Sequence, residues 1–376
     1  MFERKITKLE LHNFKCHSFL EQQLGDISIL AGGNAAGKSS IIQSILLANA
    51  AWNYAEKKRV YTNNVEGIYM GPPSTIISEE HDKDNILLEL QINGNSNRVE
   101  LTLPSAEEEG IFLNIENYEE ICEESRADVC VLNNMNMFYI NAERFGPRVT
   151  LGIENAREFY VGSHGENTDY VISKMDLEQK NKRLRLPEEL KISSIMRFSA
   201  NVEEWLNIII PNTKLETSMS MEYGISSVKF RNTGDNFYLP TATGFGITYV
   251  LPIITQALIA SMLHNCVLLI ENPEAHLHPY SQSMIGRFLA YVSIQGVQVI
   301  IETHSEHVIN GCRLQLGELK KCDAATILFF NREKDKQIVK EIKINEFGEL
   351  EEWPKGFFDQ AQNDLRKILE LRLCKK

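Results

Sequence analysis

The sequence predicts an α/β fold around a mixed sheet, with a β-rich N-terminal lobe and a helical insertion, and three stretches carry that prediction. An apolar burst, ISILA, runs into a glycine-rich turn at Gly32-Gly33. SSIIQSILLANAAWNYA follows, with apolar residues at helical spacing (Ile41, Ile45, Leu46, Ala50). Two more apolar bursts, at 267–270 and 297–301, end in acidic residues within a region where helices and strands alternate from 249 to 345. Strand, glycine turn and helix open an α/β unit, and uninterrupted apolar strands belong to a sheet covered on both faces.

The remaining elements follow in order. ITKLELHNF alternates as a strand should, and short strands fill residues 5 to 31. From about 55 to 140 the texture is strands and loops, punctuated by Asn63-Asn64, Gly71-Pro72-Pro73 and the acidic run Glu107-Glu108-Glu109. ILLELQIN and RVELTLP read as a hairpin joined by NGNSN. Residues 151–210 read as mainly helical, and strands return near 214–239. The division that results is an α/β core from 1–56 and 240–376, a β-rich lobe at 57–150, and a mainly helical insertion returning to strands at 151–239. No internal repeat is visible, and no heptad run is long enough for an extended coiled coil.

Composition narrows the function classes. With 376 residues, 43% hydrophobic and 24% charged, the chain is built to bury a large core, in two to three structural units. MFERKITKLELHNF has no apolar h-region, so no secretory signal is expected and the reading is cytoplasmic. Seven scattered cysteines (16, 122, 130, 266, 312, 322 and 374) without a CxxC pair suit a reducing compartment. Residues 247–270 are apolar enough to raise a membrane span, but Pro252, Gln256, His264 and Asn265 interrupt them, and a buried helix followed by a buried strand is the better reading. A net charge of −12 argues against wholesale coating of nucleic acid. The basic clusters at Lys57-Lys58-Arg59 and at Lys180, Lys182, Arg183 and Arg185 read as solvated faces.

The strongest chemical signal is GGNAAGKS, Gly32 to Ser39, with an apolar strand before it and a helix after it. Its glycines let successive N–H groups converge on phosphate, and the helix N-terminus adds positive potential at the same point. Lys38 is placed for the β- and γ-phosphates and Ser39 for Mg²⁺. The second signal is VLLIENPEAHLHP, whose strand delivers Glu271, with Glu274 three positions later. Carboxylates leaving a strand beside a P-loop can hold Mg²⁺ and orient water. The third is VQVIIETHSE, which places His304 where it can touch the γ-phosphate or the attacking water. The same histidines and carboxylates (His276, His278, His304, His307, Glu271, Glu274, Glu302) also compose a Zn²⁺ or Mn²⁺ cluster on paper. The intact P-loop makes the nucleotide reading more economical.

These motifs resemble the ABC-type ATPases of the RecF, SMC and OLD branch over the whole chain. ENPEAHLHP and the tail EWPKGFFDQ resemble the stand-alone bacterial ATPases related to OLD proteins. The resemblance implies that Gly32, Asn34, Ala35, Ala36, Gly37, Lys38, Ser39 and Ser40 hold ATP, that Ser39 and Glu271 hold Mg²⁺, and that 275–279 is the D-loop. It makes His304 the switch histidine and 139–148 the Q-loop-like segment. TGFGITYVLPI stands where the signature lies, without LSGG itself, and Gly244, Gly246 and Thr248 would touch the γ-phosphate held by a second subunit. The usual Asp-Glu pair is Glu271-Asn272 here. Either Glu274 supplies the base or hydrolysis is slow and ATP acts as a clamp; the clamp is the favoured reading. The partners implied are a homodimer or higher oligomer through ATP, a separate effector, a nuclease in anti-phage defence, and double-stranded DNA, with no membrane. The chain ends about 70 residues after His304, too few for the OLD-type nuclease domain, so the nuclease is expected on another polypeptide. Two alternatives stand beside it: an ATP-gated protein-binding module without DNA contact, and a repair ATPase of SMC or RecF type, which the missing coiled coil weakens.

Overall fold

Alternation along the buried strands decides how the layers stack. The computed structural model describes residues 4–65, 67–79, 85–105, 110–127, 132–153, 158–180, 184–232, 234–333 and 336–373. The N-terminal part runs β1 (Ile6–Phe14), β2 (His17–Gln23), β3 (Ile27–Gly32), α1 (Lys38–Asn53), β4 (Arg59–Tyr61), β5 (Asn63–Val65), β6 (Ile68–Tyr69), β7 (Asn85–Ile92), β8 (Asn95–Thr102), β9 (Phe112–Ile115) and α2 (Tyr118–Arg126). The middle adds β10 (Asn136–Ile140), β11 (Leu151–Gly152), α3 (Thr168–Lys180), α4 (Phe198–Ile209), β12 (Lys214–Ser220) and β13 (Ile225–Arg231). The chain continues through α5 (Phe245–Ala260), β14 (Cys266–Glu271), α6 (Pro279–Ser293), β15 (Val297–Thr303), α7 (Glu306–Leu319), β16 (Ala325–Glu333), β17 (Lys336–Ile342) and α8 (Gln360–Leu373).

The central sheet has the order β10-β14-β15-β3-β16-β17; its first five strands are parallel and β17 returns antiparallel. Side chains at every second position share a face. Tyr139, Leu269, Ile300, Leu30 and Leu328 therefore point together to α1 and the second sheet. Phe138, Leu268, Ile301 and Ile29 point the other way, into a core shared with α3 to α7. The second sheet, β2-β1-β7-β8-β9-β4, is antiparallel. Because the five parallel strands end on one edge, Gly32, Glu271 and Glu302 emerge side by side.

Several sequence expectations change against this frame. The hairpin turn is two residues, not NGNSN. Ile92 pairs with Asn95 across Asn93 and Gly94, both in the left-handed region, a turn whose twist matches the strands. The domain division does not follow the sheets: β1 and β2 of the first core segment pair into the lobe sheet, while β10 of the lobe segment edges the core sheet. The insertion is less helical than expected, because among the described residues between α3 and α4 only a short 3-10 turn at Glu188–Leu190 is helical, and β11 joins β13 and β12 in a small sheet. The apolar stretch from 247 onward is α5, a turn and β14, with no helix among the described residues long and apolar enough to cross a membrane. Gln256 is fully buried there because its amide is paired, accepting from Val161 N–H and donating to Phe159 O.

The tail WPKGFFDQ is an aromatic clasp: buried Phe357 meets Phe329, Trp353 and Phe358 edge-on. The cluster Lys57-Lys58-Arg59 is not bare solvated charge, since the three cations lie over the rings of Tyr54, Tyr118 and Phe112. Glu107, Glu108, Glu109, Cys130, Lys182, Arg183 and Cys374 lie outside the described residues. Cys266, Cys312 and Cys322 are buried as small apolar side chains.

Candidate nucleotide site

The P-loop cradle is a backbone device. Gly32, Ala35 and Gly37 all have positive φ, at 141°, 56° and 87°, so the loop curls between β3 and α1. At Gly37, the N-cap of α1, a Cβ would also strike the Gln337 side chain and Cys16 Sγ. Two side chains from distant strands pin the loop's carbonyls: Gln337 Nε2 donates to Ala36 O, and His17 Nε2 to Gly37 O at 3.2 Å. With those carbonyls turned outward, the following N–H groups are left for an anion at the helix N-terminus. Asn34, Ala35, Ala36, Gly37, Lys38, Ser39 and Ser40 line a cavity of about 460 Å³ together with Lys15, Cys16, Glu302 and His304.

Lys38 is 2% exposed, and its ammonium donates to Gly32 O at 3.2 Å and Gly33 O at 2.7 Å, with Glu302 Oε1 3.7 Å away. Burial lowers its pKa against the opposing pull of Glu302. His304 is likewise held below the usual imidazole range, first by burial and then by the Lys38 charge, so it faces the cavity as a neutral ring.

Glu271 and Glu302 are register partners on adjacent strands, so their side chains leave the sheet on the same face. Burial pushes Glu271 up to about 7, and Glu302 adds to the rise; the Tyr139 hydroxyl and the Ala142 N–H hydrogen-bond its carboxylate and oppose it. Beneath them, buried Arg144 donates to Asn141 O, Glu271 O and Asn272 O at 2.7–2.8 Å and lies over the Tyr249 ring. Segment 139–148 thus places a guanidinium that holds the C-terminal end of β14.

Glu274 accepts from Thr303 Oγ1 and from the His304 N–H, each at 2.7 Å. It clasps the β14 loop to the β15 loop. His276, in the left-handed region, packs against Tyr249 and Phe245. His278 caps α6. The histidines thus diverge, and among the described residues no group of three or more His, Cys, Asp or Glu side chains could hold a metal.

The segment expected to act as the signature, 243–253, lies elsewhere. Gly244 caps α5, Gly246 packs on the His276 carbonyl, and the Thr248 hydroxyl donates to Phe245 O. Gly244 and Gly246 line a separate cavity of about 450 Å³ with His276, Leu277 and His278, and it shares no lining residue with the P-loop cavity. The structure therefore brings Gly32 to Ser40, Glu302 and His304 together, sets Glu271 beside Glu302 and Glu274 behind His304, and leaves Gly244, Gly246 and Thr248 on another surface.

The residues fit Mg²⁺–ATP. Glu302 Oε2 and Asn272 Oδ1 are buried without a hydrogen-bond partner, and the oxygens of Ser39 in the cavity lining and of Glu271, on the strand beside Glu302, suit a hard cation. From the sequence, Glu302 figures only as a paper metal ligand, Tyr139 and Arg144 only within the 139–148 segment, and His17 not at all. Glu302 carried a visible signal, an acid one strand-period after Ile300 at the end of a buried strand.

An AAA ATPase domain family matches residues 147–309, and a protein family of unknown function, DUF3696, matches 321–368. No curated protein matches the chain in sequence. Among solved structures, an Smc head bound to the C-terminal winged-helix domain of ScpA aligns with a TM-score of 0.54 at 13% identity, over 91% of this chain and 98% of that one. The Smc head with an extended coiled coil, bound to the C-terminal domain of ScpA, from Pyrococcus furiosus gives 0.56 at 13%, over 97% and 99%. The fold is that of an ABC-type ATPase head.

Proposed function

We propose that this chain binds Mg²⁺–ATP at Gly32 to Ser40, hydrolyses it slowly, and pairs with a second copy so that each P-loop meets the other's Gly244 to Thr248 segment. One observation carries the reading: the P-loop cavity holds the ionic groups, while the signature glycines face a separate cavity on the same chain. Lys38 exchanges the Gly32 and Gly33 carbonyls for the β- and γ-phosphates. Ser39 and Glu271 hold the cation, which neutralises phosphate charge when bound. His304 reads the γ-phosphate as a neutral imidazole, and Glu274 passes its position to the loop that carries His276 against Tyr249 and Phe245. A symmetric pair built this way has ATP within its interface.

Asn272 in place of a carboxylate supports slow turnover and a clamp. The output we assign, on the family resemblance, is control of a separate effector, a nuclease in defence against phage. The likeness to Smc heads keeps a DNA-organising reading beside it. Sedimentation with ATP, ADP and no nucleotide tests the core claim: a dimer forms with ATP alone. A chain that binds ATP and stays monomeric overturns it. Binding to plain duplex with a steep negative salt slope favours the DNA reading, and a flat response favours the protein effector.

A further inference from the structure

The Walker B strand ends in Glu271-Asn272, and Glu274, the nearest substitute for the missing carboxylate, has both oxygens engaged by Thr303 and the His304 N–H. A third carboxylate stands in the cavity itself. Glu302 sits in register with Glu271, lines the P-loop cavity beside His304, and is 6% exposed. One of its oxygens, Oε1, lies 3.7 Å from Lys38 Nζ; the other, Oε2, is buried with no partner. A buried acceptor without a donor is destabilising, which points to a donor that arrives with the ligand.

We propose that Glu302 is a catalytic residue with two successive partners, an assignment that rests on the ATP reading above. With the loop empty, it holds Lys38 against the Gly32 and Gly33 carbonyls. When nucleotide draws the ammonium onto its phosphates, the freed carboxylate accepts a hydrogen bond from the attacking water and aims it at the γ-phosphorus. In the step, the water oxygen bonds to that phosphorus, and the bond from phosphorus to the β–γ bridging oxygen breaks. ADP leaves with the electron pair, and both water protons stay on the released dihydrogen phosphate. Glu302 remains ionised throughout. Asn272, with a weaker neutral acceptor, does not replace that charge-assisted contact.

Glu302→Gln keeps the shape and removes the charge. Equilibrium titration with ATP in EDTA should show affinity rising about tenfold, because Lys38 no longer shares itself with a carboxylate. Steady-state phosphate release with Mg²⁺ should fall about 10²-fold. Glu302→Asp should bind as wild type does and recover part of the turnover, which also answers the case in which the glutamine variant fails to fold. Wild-type turnover in Glu302→Gln, or weaker ATP binding in EDTA, overturns the proposal while leaving the P-loop reading intact. A wild-type protein that binds no ATP overturns both.

Discussion

The P-loop end of the molecule and the signature face differ in how each is built. The first is deep and charged, assembled from the ends of three parallel strands: Lys38 and Glu302 are almost wholly buried, and their geometry is dictated by sheet register. The second is exposed and uncharged, with Phe245 at 52% exposure and glycines at the start of one helix. Rigid ionic groups can grip phosphate unaided. In the pairing proposed above, the glycine-led start of α5 meets a ligand that the second copy brings. The difference teaches that the phosphate grip and the proposed pairing face sit on separate parts of this chain, and they should break separately.

The largest effect is expected at the charged end. Lys38→Ala removes the charge-assisted phosphate contacts and should weaken ATP binding by about 10³-fold or more in equilibrium titration. Undiminished affinity would remove the P-loop from the site. Next comes Gly246→Arg. A Cβ there would stand 2.7 Å from the His276 carbonyl oxygen, so the substitution pushes the start of α5 and the His276 loop apart as well as adding bulk at that face. ATP affinity of the monomer should be retained and the ATP-dependent dimer lost in sedimentation. A normal dimer would show that the two regions do not meet in trans.

Arg144 tests the floor between them. Arg144→Met leaves the carbonyls of Asn141, Glu271 and Asn272 without their donor and should cost about 3 kcal/mol in chemical denaturation, with ATP turnover falling as the Walker B strand end loosens. An unchanged denaturation midpoint would mean water replaces the guanidinium.

The smallest effect concerns pH and lies behind the signature helix. Burial raises Asp169 to about 7, well above the unfolded carboxylate. Between the two values the folded state binds more protons, so this group's contribution to stability is fully present only below the unfolded carboxylate value of 3.8 and is lost progressively as pH rises to about 7. Asp169→Asn should therefore raise the melting temperature by a few degrees at pH 8 relative to wild type and by less at pH 5.5. Equal shifts at both pH values would assign the effect to packing rather than to charge.

Much of the fold was legible because buried parallel strands announce themselves. ISILA, VLLI and VQVII are apolar on both faces, and the glycine turn with Lys-Ser after it has one structural use. Position in three dimensions was another matter. Asn272 reads in the sequence as a lost carboxylate, yet its φ of 45° places it in the left-handed region, where asparagine is tolerated better than glutamate. Glu274 reads as a spare base, and the structure shows it clasping two loops. The turn at 93–94 was drawn too long because Asn97, a turn-former by composition, is a buried strand residue whose amide donates to Leu90 O.

By itself the sequence determined the layers, the P-loop and the acids and histidine that accompany it, because periodicity and local backbone chemistry are written over a few adjacent residues. Only the tertiary structure decided which acid stands beside Lys38. Glu271 and Glu302 are separated by a whole helix in the chain, and it is the parallel register of β14, β15 and β3 that sets Glu302 next to the P-loop strand and Glu271 one strand further out. That order depends on how strands pair across the sheet, a long-range choice governed by burial of both faces at once, and no local run of residues records it.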